Sequence, residues 1–267
     1  MISYIGGKNR MAKWINEQIP KSKTYIEVFG GAFWVYLKGD INSNKIIYND
    51  YNKFMANLFE CFREPEFFLK HLEMHKAQNK DLFYKFQDYL NTIKNDNINF
   101  DLGTYLIASQ YVYCATQVFS GSKVLESKYV DLKGKYNSKY DSLINKLKNP
   151  FYIDKLKKIN KVENLDYIDL IKKYDSKDTF LYVDPPYYKT ENYYSNHNFD
   201  QNQHIKLLEI LKKTKSKWAL SYYYFDLLED VLPKNKFRWI EKEFCKAAGA
   251  QKGKKQNKGT ELLIMNY

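Results

Sequence analysis

Cysteine is scarce in this chain. Cys61, Cys114 and Cys245 are three in 267 residues, far apart and without the spacing of a metal site or a disulfide framework. The expectation is a reducing, cytoplasmic setting with no metal. Long apolar runs are also missing: no stretch approaches the roughly 20 residues needed to span a bilayer. The start, Met1-Ile2-Ser3-Tyr4-Ile5-Gly6-Gly7-Lys8, lacks the apolar core of a signal peptide. Acids are outnumbered, 31 against 43 Lys and Arg, and the net charge of +12 favours an anionic partner, nucleic acid before an anionic membrane. Lys, Asn, Ile and Tyr are abundant together, so a genome-wide compositional bias is an alternative source of that charge. Proline is rare, six in all, which makes two in a row worth reading closely.

Those two stand in Asp184-Pro185-Pro186-Tyr187-Tyr188, directly after the apolar run Phe180-Leu181-Tyr182-Val183. The run reads as a buried strand, and the prolines stop it. A proline has no N–H, so the Asp184 carboxylate and the proline carbonyls are acceptors without a neighbouring donor. An exocyclic amine placed there donates both hydrogens and becomes a better nucleophile, while Tyr187 offers a flat face to a base. Such a site suits methylation of the amino group of adenine or cytosine. Taken alone, Asp-Pro-Pro is equally an ordinary exit from a strand into a turn.

At this length the chain can bury a sizeable core, as one large domain or as two lobes. Residues 1–53 alternate a Gly-Gly-Lys turn, a helix near Met11 to Glu17, strands at Thr24 to Phe29 and Lys45 to Tyr48, and a helix from about Phe33. Residues 54–160 read as mainly helical, from the apolar spacing in Phe54-Met55-Leu58-Phe59-Phe62 and Tyr105-Leu106-Ser109-Tyr113. From 161 to 267 the alternation resumes, with strands at Phe180 to Val183, Lys217 to Ser221 and Leu262 to Asn266, and a helix from Gln203 to Lys213 capped by Asp200. The fold class expected is α/β, a mostly parallel sheet interrupted by a helical lobe.

A second feature precedes the proline motif. In Tyr25-Ile26-Glu27-Val28-Phe29-Gly30-Gly31-Ala32 a strand enters a glycine turn that opens a helix, which lets a cofactor approach the backbone at a sheet's carboxyl edge. Asp50 ends the next strand, where an acid can take a ribose hydroxyl pair. The dinucleotide pattern Gly-x-Gly-x-x-Gly is not met, because Phe33 and Trp34 hold the later positions. That speaks against NAD and leaves S-adenosylmethionine open.

Together, Tyr4-Ile5-Gly6-Gly7-Lys8, the glycine turn, Asp184-Pro185-Pro186-Tyr187 and the ending Gly259-Thr260-Glu261-Leu262-Leu263-Ile264-Met265-Asn266-Tyr267 make the chain resemble the Dam-type (alpha-group) DNA adenine-N6 methyltransferases. The resemblance covers residues 1–53 and 161–267 well and the middle loosely. It implies a Rossmann-like methyltransferase domain, with 54–160 as the target-recognition lobe. It implies S-adenosylmethionine as cofactor, with Tyr4, Gly6, Gly7 and Lys8 against it and Glu27, Phe29, Gly30 and Gly31 near its methionine part. Asp50 would lie at the ribose and Asp166 or Tyr167 near the adenine. Asp184, Pro185, Pro186 and Tyr187 would form the catalytic pocket, Asp184 also bordering the cofactor. The chain departs from the family at Phe33, where a small residue is common, and at Val28, which replaces a frequent proline.

The implied reaction flips the target nucleotide out of the duplex, stacks it on Tyr187 and transfers the methyl directly in line. No covalent intermediate is needed, and no cysteine follows a proline as the nucleophile of cytosine-C5 methyltransferases does. Residues 121–160 carry ten Lys against four acids, with tyrosines among them, which suits phosphate contacts and stacking. The DNA contacts expected are Ser120, Gly121, Lys123, Lys133, Lys135 and Asn137, in and after a Phe119-Ser120-Gly121 segment resembling a DNA-proximal loop of this type of family. Lys252, Lys254 and Lys255 form a second basic stretch, and Tyr193 and Tyr194 are candidates for a loop over the flipped base. His71 and His75, four apart among charged neighbours, read as a solvated helix face. Expected partners are double-stranded DNA and, for a member of a restriction–modification pair, a companion restriction enzyme. Cytosine-N4 methylation and a catalytically silent DNA-binding regulator are the alternatives.

Overall fold

The computed structural model describes residues 2, 7–75, 77–118, 123–131, 138–188, 199–245 and 258–267, the side chains of Ser138 and Cys245 excepted. Seven strands, β1 (Thr24–Glu27), β2 (Lys45–Asn49), β3 (Ile159–Glu163), β4 (Thr179–Val183), β5 (Lys217–Tyr222), β6 (Arg238–Cys245) and β7 (Lys258–Met265), form one sheet. Its order is β3-β2-β1-β4-β5-β7-β6. Strands β1 to β5 are parallel, and β7 returns antiparallel between β5 and β6. Strand order reverses between β1 and β4, and a crevice opens outside the carboxyl ends of the strands at such a switch point. The mixed α/β sheet is consistent with the fold the resemblance implies.

Alternation along the strands sorts the two faces. Tyr25, Tyr48, Phe180 and Tyr182 point to one side, and Ile26, Ile47, Leu181, Val183 and Trp218 to the other. The first face is covered by α1 (Ala12–Asn16), α2 (Trp34–Lys38) and the helices between β2 and β3. Those helices are α3 (Lys53–Phe62), α4 (Pro65–Glu73), α5 (Lys80–Asn95), α6 (Tyr105–Thr116), α7 (Ser138–Lys148) and α8 (Pro150–Lys157). Phe59 of α3 is fully buried, and its ring centroid stacks 4.0 Å from that of Tyr48. Truncating it to Ala costs about 3–5 kcal/mol and loosens α3 from the sheet. The second face takes α9 (Tyr167–Tyr174), α10 (Gln201–Lys213) and α11 (Leu227–Val231) through Leu170, Leu207, Leu211 and Leu228. The helices between β2 and β3 thus share one apolar cluster with the sheet.

The helix start read from Asp200 is seen in the structure, where Asp200 accepts the Gln203 N–H at 3.0 Å. Asn52, which sequence reading does not single out, caps α3 by accepting the Phe54 N–H at 3.0 Å. Two strands go beyond the expected set. In β3 the middle residues Asn160 and Lys161 are exposed, so its pattern looks helical, and the 54–160 boundary falls inside it. In β6, a strand at the sheet edge, the consecutive charges Glu241-Lys242-Glu243 break the apolar pattern. The last strand begins at Lys258 rather than Leu262 and ends at Met265. Among the described residues no helix is long and apolar enough to cross a membrane.

Candidate active site

The glycine turn after β1 is built by steric and hydrogen-bond demands of its own. A Cβ on Gly30 would lie 2.4 Å from a Tyr48 ring carbon and 2.7 Å from the Asn49 carbonyl, so only glycine fits against β2. Gly31 has φ +46° and donates its N–H to Asp50 Oδ2 at 2.9 Å. Asp50 also accepts the Asn52 N–H at 2.8 Å and the Tyr48 hydroxyl at 3.4 Å. The acid expected at a ribose therefore first locks the turn. Phe33 is not the first helical residue but the one before it, left-handed at φ 58°. That conformation is strained for a bulky side chain. Packing against Tyr36, Tyr48 and Phe59 holds it there.

Beneath the switch point lies a cleft of ≈ 280 Å³. Gly7, Lys8, Glu27, Phe29, Gly30, Gly31, Asp50, Asp166, Tyr167, Asp184 and Pro186 line it, residues the sequence scatters over several segments. Of the other cofactor candidates, Tyr4 and Gly6 lie outside the described residues. Asp166 caps α9 through the Ile168 N–H at 2.8 Å. Phe29, Tyr167 and Phe199 form an aromatic wall with centroids 5.7 to 5.8 Å apart. The Tyr167 hydroxyl donates to Gln203 Oε1 at 2.8 Å. Tyr51, Leu165, Phe199 and Gln203 also line the cleft, and no sequence motif singles them out.

Asp50, Asp166 and Asp184 line this cleft with Lys8 and with the neutral acid Glu27, a balance that favours a cationic ligand over a pyrophosphate. Burial pushes Glu27 up to about 8, despite hydrogen bonds from the Tyr36 N–H at 2.8 Å and the Tyr25 hydroxyl at 3.0 Å, so it is mostly protonated at neutral pH. Burial likewise raises Asp50 to about 6.

At the end of β4, Asp184 is 17% exposed and faces the cleft. Burial raises its carboxyl to about 6, and Lys8 opposes the shift from 2.8 Å at Oδ1. Pro185 and Pro186 are buried, and the ring of Tyr187 is packed rather than open. It stacks on Tyr222 at 5.3 Å, meets Tyr223 edge-on at 4.4 Å and has Lys8 Nζ 4.7 Å above it. Its hydroxyl donates to Asp184 Oδ1 at 3.1 Å and to Glu261 Oε1. Burial raises the Tyr187 hydroxyl well above its ordinary value. A face for base stacking is therefore not presented in this arrangement. Glu261, 2% exposed, also lies 3.3 Å from Lys8. Sequence reading gives Glu261 no role; its signal is an acid at the head of the apolar run Leu262 to Met265.

Most of the DNA-contact candidates, Ser120, Gly121, Lys133, Lys135, Asn137, Lys252, Lys254 and Lys255, lie outside the described residues, as do Tyr193 and Tyr194. Lys123 is described, with φ +46° and its ammonium 3.9 Å from Glu126. His71 and His75 are not simply solvated. The first stacks on Tyr105 at 5.0 Å and the second lies against Phe86 and Tyr113. A separate recess is lined by Asn9, Arg10, Lys13, Lys38 and Phe151, three cations and no acid.

No curated protein matches the chain. A family model described as D12 class N6 adenine-specific DNA methyltransferase matches residues 4–247, which include both the glycine turn and Asp184-Pro185-Pro186-Tyr187. With the two motifs meeting in one cleft and the match spanning most of the chain, this protein belongs to the D12 class N6 adenine-specific DNA methyltransferase family and is an enzyme that methylates the N6 amine of adenine in DNA.

Proposed function

We propose that the acid-lined cleft binds S-adenosylmethionine and that Asp184 receives the adenine amine of duplex DNA at its edge. The observation that carries this is that Asp184, Gly31 and Asp50 line the same cleft at the switch point of the sheet. The donor set fits the cofactor: Asp50 and Asp184 suit its positive charges, the neutral Glu27 carboxyl adds none, and the wall of Phe29, Tyr167 and Phe199 suits its adenine. Bound there, S-adenosylmethionine supplies a methyl group activated by a sulfonium. Gly7 and Lys8 border it, the Gly30–Gly31 turn approaches its methionine part, Asp50 holds the ribose and Asp166 or Tyr167 the adenine.

The chain's own residues do the rest by position and charge. Asp184 and the Pro185 carbonyl accept the two amine hydrogens, which orients the nitrogen lone pair. The carboxylate then favours the positive charge that develops on nitrogen. A stacked base cannot reach a carboxylate at a strand end, so the target nucleotide is flipped out. The Tyr187 ring, packed on Tyr222, borders the amine site through its hydroxyl on Asp184 rather than as an open stacking face. Residues 54–160 form the target-recognition lobe, with Ser120, Gly121, Lys123, Lys133, Lys135 and Asn137 toward the duplex and Lys252, Lys254 and Lys255 as a further basic stretch. The recess of Arg10, Lys13 and Lys38 adds a place for backbone phosphate. The setting is cytoplasmic, with a companion restriction enzyme where the enzyme is one of a pair.

Calorimetry tests the cofactor assignment. S-adenosylmethionine is expected to bind the wild-type chain, and an Asp184→Ala variant within a few-fold of it, while NAD shows no heat. No binding of S-adenosylmethionine, or binding of NAD in its place, overturns the reading of the cleft.

A further inference from the structure

Strand β7 is antiparallel to the five strands that carry the cleft, so its first residues arrive at their carboxyl edge. Its pairing with β5 stops at Tyr222 opposite Leu262, and Glu261 sits one residue further, past the end of β5. It is 2% exposed, beyond the 4–247 family match and 74 residues from the tyrosine it touches. A carboxylate taken out of water at that cost needs partners, and among the described residues it has two. Its Oε1 accepts the Tyr187 hydroxyl and lies 3.3 Å from Lys8 Nζ. The same two groups approach Asp184, both on Oδ1, at 3.1 and 2.8 Å. We propose that Glu261 is a positioning residue for methyl transfer: it holds Lys8 and the Tyr187 hydroxyl on the Oδ1 side of Asp184, so that the Oδ2 side is presented to the substrate amine.

Two consequences follow from the chemistry. Tyr187 has one hydroxyl proton for two carboxylates, so Glu261 decides how fully that proton neutralises Asp184. Lys8 alone would cancel the charge of Asp184, whereas Lys8 between two carboxylates leaves the cluster net negative, and a net negative cluster favours a nitrogen becoming positive. The groups facing Asp184 come from several elements: Lys8 before α1, Glu27 on β1, Tyr182 on β4, Tyr187 after it, Tyr223 after β5 and Glu261 on β7. Glu261 raises the Asp184 carboxyl, so its neutralisation lowers the pH at which Asp184 ionises.

The inference rests on Asp184 as the amine acceptor, and single-turnover methyl transfer to a DNA duplex at saturating S-adenosylmethionine tests the two separately. Glu261→Gln keeps the shape and the acceptor oxygen but removes the charge. Its transfer rate is expected to fall about ten- to a hundredfold. KM for cofactor and for DNA should stay within about threefold, and the acid limb of the pH–rate profile should move to lower pH. A merely structural role would lower thermal stability and leave that limb in place. An Asp184→Asn variant runs alongside. If it is inactive while Glu261→Gln transfers at the wild-type rate with an unmoved limb, the role of Glu261 is overturned. If Asp184→Asn is itself fully active, the parent reading falls. Should Glu261→Gln fail to fold, Tyr187→Phe cuts the same link with its ring packing kept. A loss below about threefold would then overturn the proposal, and a larger loss supports it.

Discussion

The role proposed for Asp184 predicts that the rate of methyl transfer follows the titration of its carboxyl. Burial pushes its carboxyl up to about 6, with Lys8 opposing. Only the ionised form draws hydrogen-bond density from the amine and stabilises positive charge on nitrogen. About nine-tenths is ionised at pH 7, half at pH 6 and one-tenth at pH 5. The single-turnover rate at saturating cofactor and DNA should therefore fall about tenfold between pH 7.5 and pH 5, with a limiting slope of about one. Asp50 is also raised to about 6, and the cofactor contact proposed for it predicts an acid limb of its own, through cofactor binding. Excess S-adenosylmethionine removes that contribution, and limiting cofactor restores it. Glu27, raised to about 8, stays protonated across the range. Rapid quench with a radiolabelled methyl group and an oligonucleotide duplex measures the rate. In Asp184→Asn it should be lower by about a hundredfold or more and flat with pH. A wild-type rate constant that does not change from pH 5 to 7.5 at saturation refutes the reasoning. So does an Asn variant that keeps the same limb.

Asp50→Ala should weaken S-adenosylmethionine binding by about 1.5–3 kcal/mol and also lower Tm, since the carboxylate locks Gly31 and Asn52 as well. Unchanged affinity by calorimetry would move the ribose contact elsewhere. Glu27 is raised on folding from 4.5 to about 8, so its contribution is fully present below pH 4.5 and is lost as pH rises toward 8. Glu27→Gln accepts the same hydrogen bonds without titrating, and its Tm should decline less than wild type between pH 6 and 9; parallel declines would contradict this. Lys13→Ala with Lys38→Ala should weaken binding to all duplexes alike and lower the salt slope by about one for each phosphate no longer neutralised, without changing which sites are methylated. An unchanged slope would remove the recess from the DNA surface.

What could be read from sequence was local. Asp184 with its prolines, the Gly30–Gly31 turn and Asp50 carry their chemistry within a few residues of a strand end, and the sheet topology brings the strand ends to one cleft. Asp200 at a helix start was legible for the same reason, because a cap needs only its own first turn. Glu261 was not legible as a site residue. Its place depends on an antiparallel return of the chain, and no local pattern says which strand β7 joins. The packed ring of Tyr187 was hidden too, because its stacking partner Tyr222 sits on another strand. Strand β3 was missed because its two exposed middle residues break the apolar run that marks the central strands.

The central claim is that this chain places a methyl group on the amine of adenine, with Asp184 as the acceptor. Duplex DNA incubated with the protein and isotopically labelled S-adenosylmethionine, digested to nucleosides and resolved by mass spectrometry, tests it most directly. Labelled N6-methyladenine should appear with wild type and be lost with Asp184→Ala while that variant still binds the cofactor. Labelled N4-methylcytosine in its place, or no methylated base from a chain that binds S-adenosylmethionine, would contradict the account.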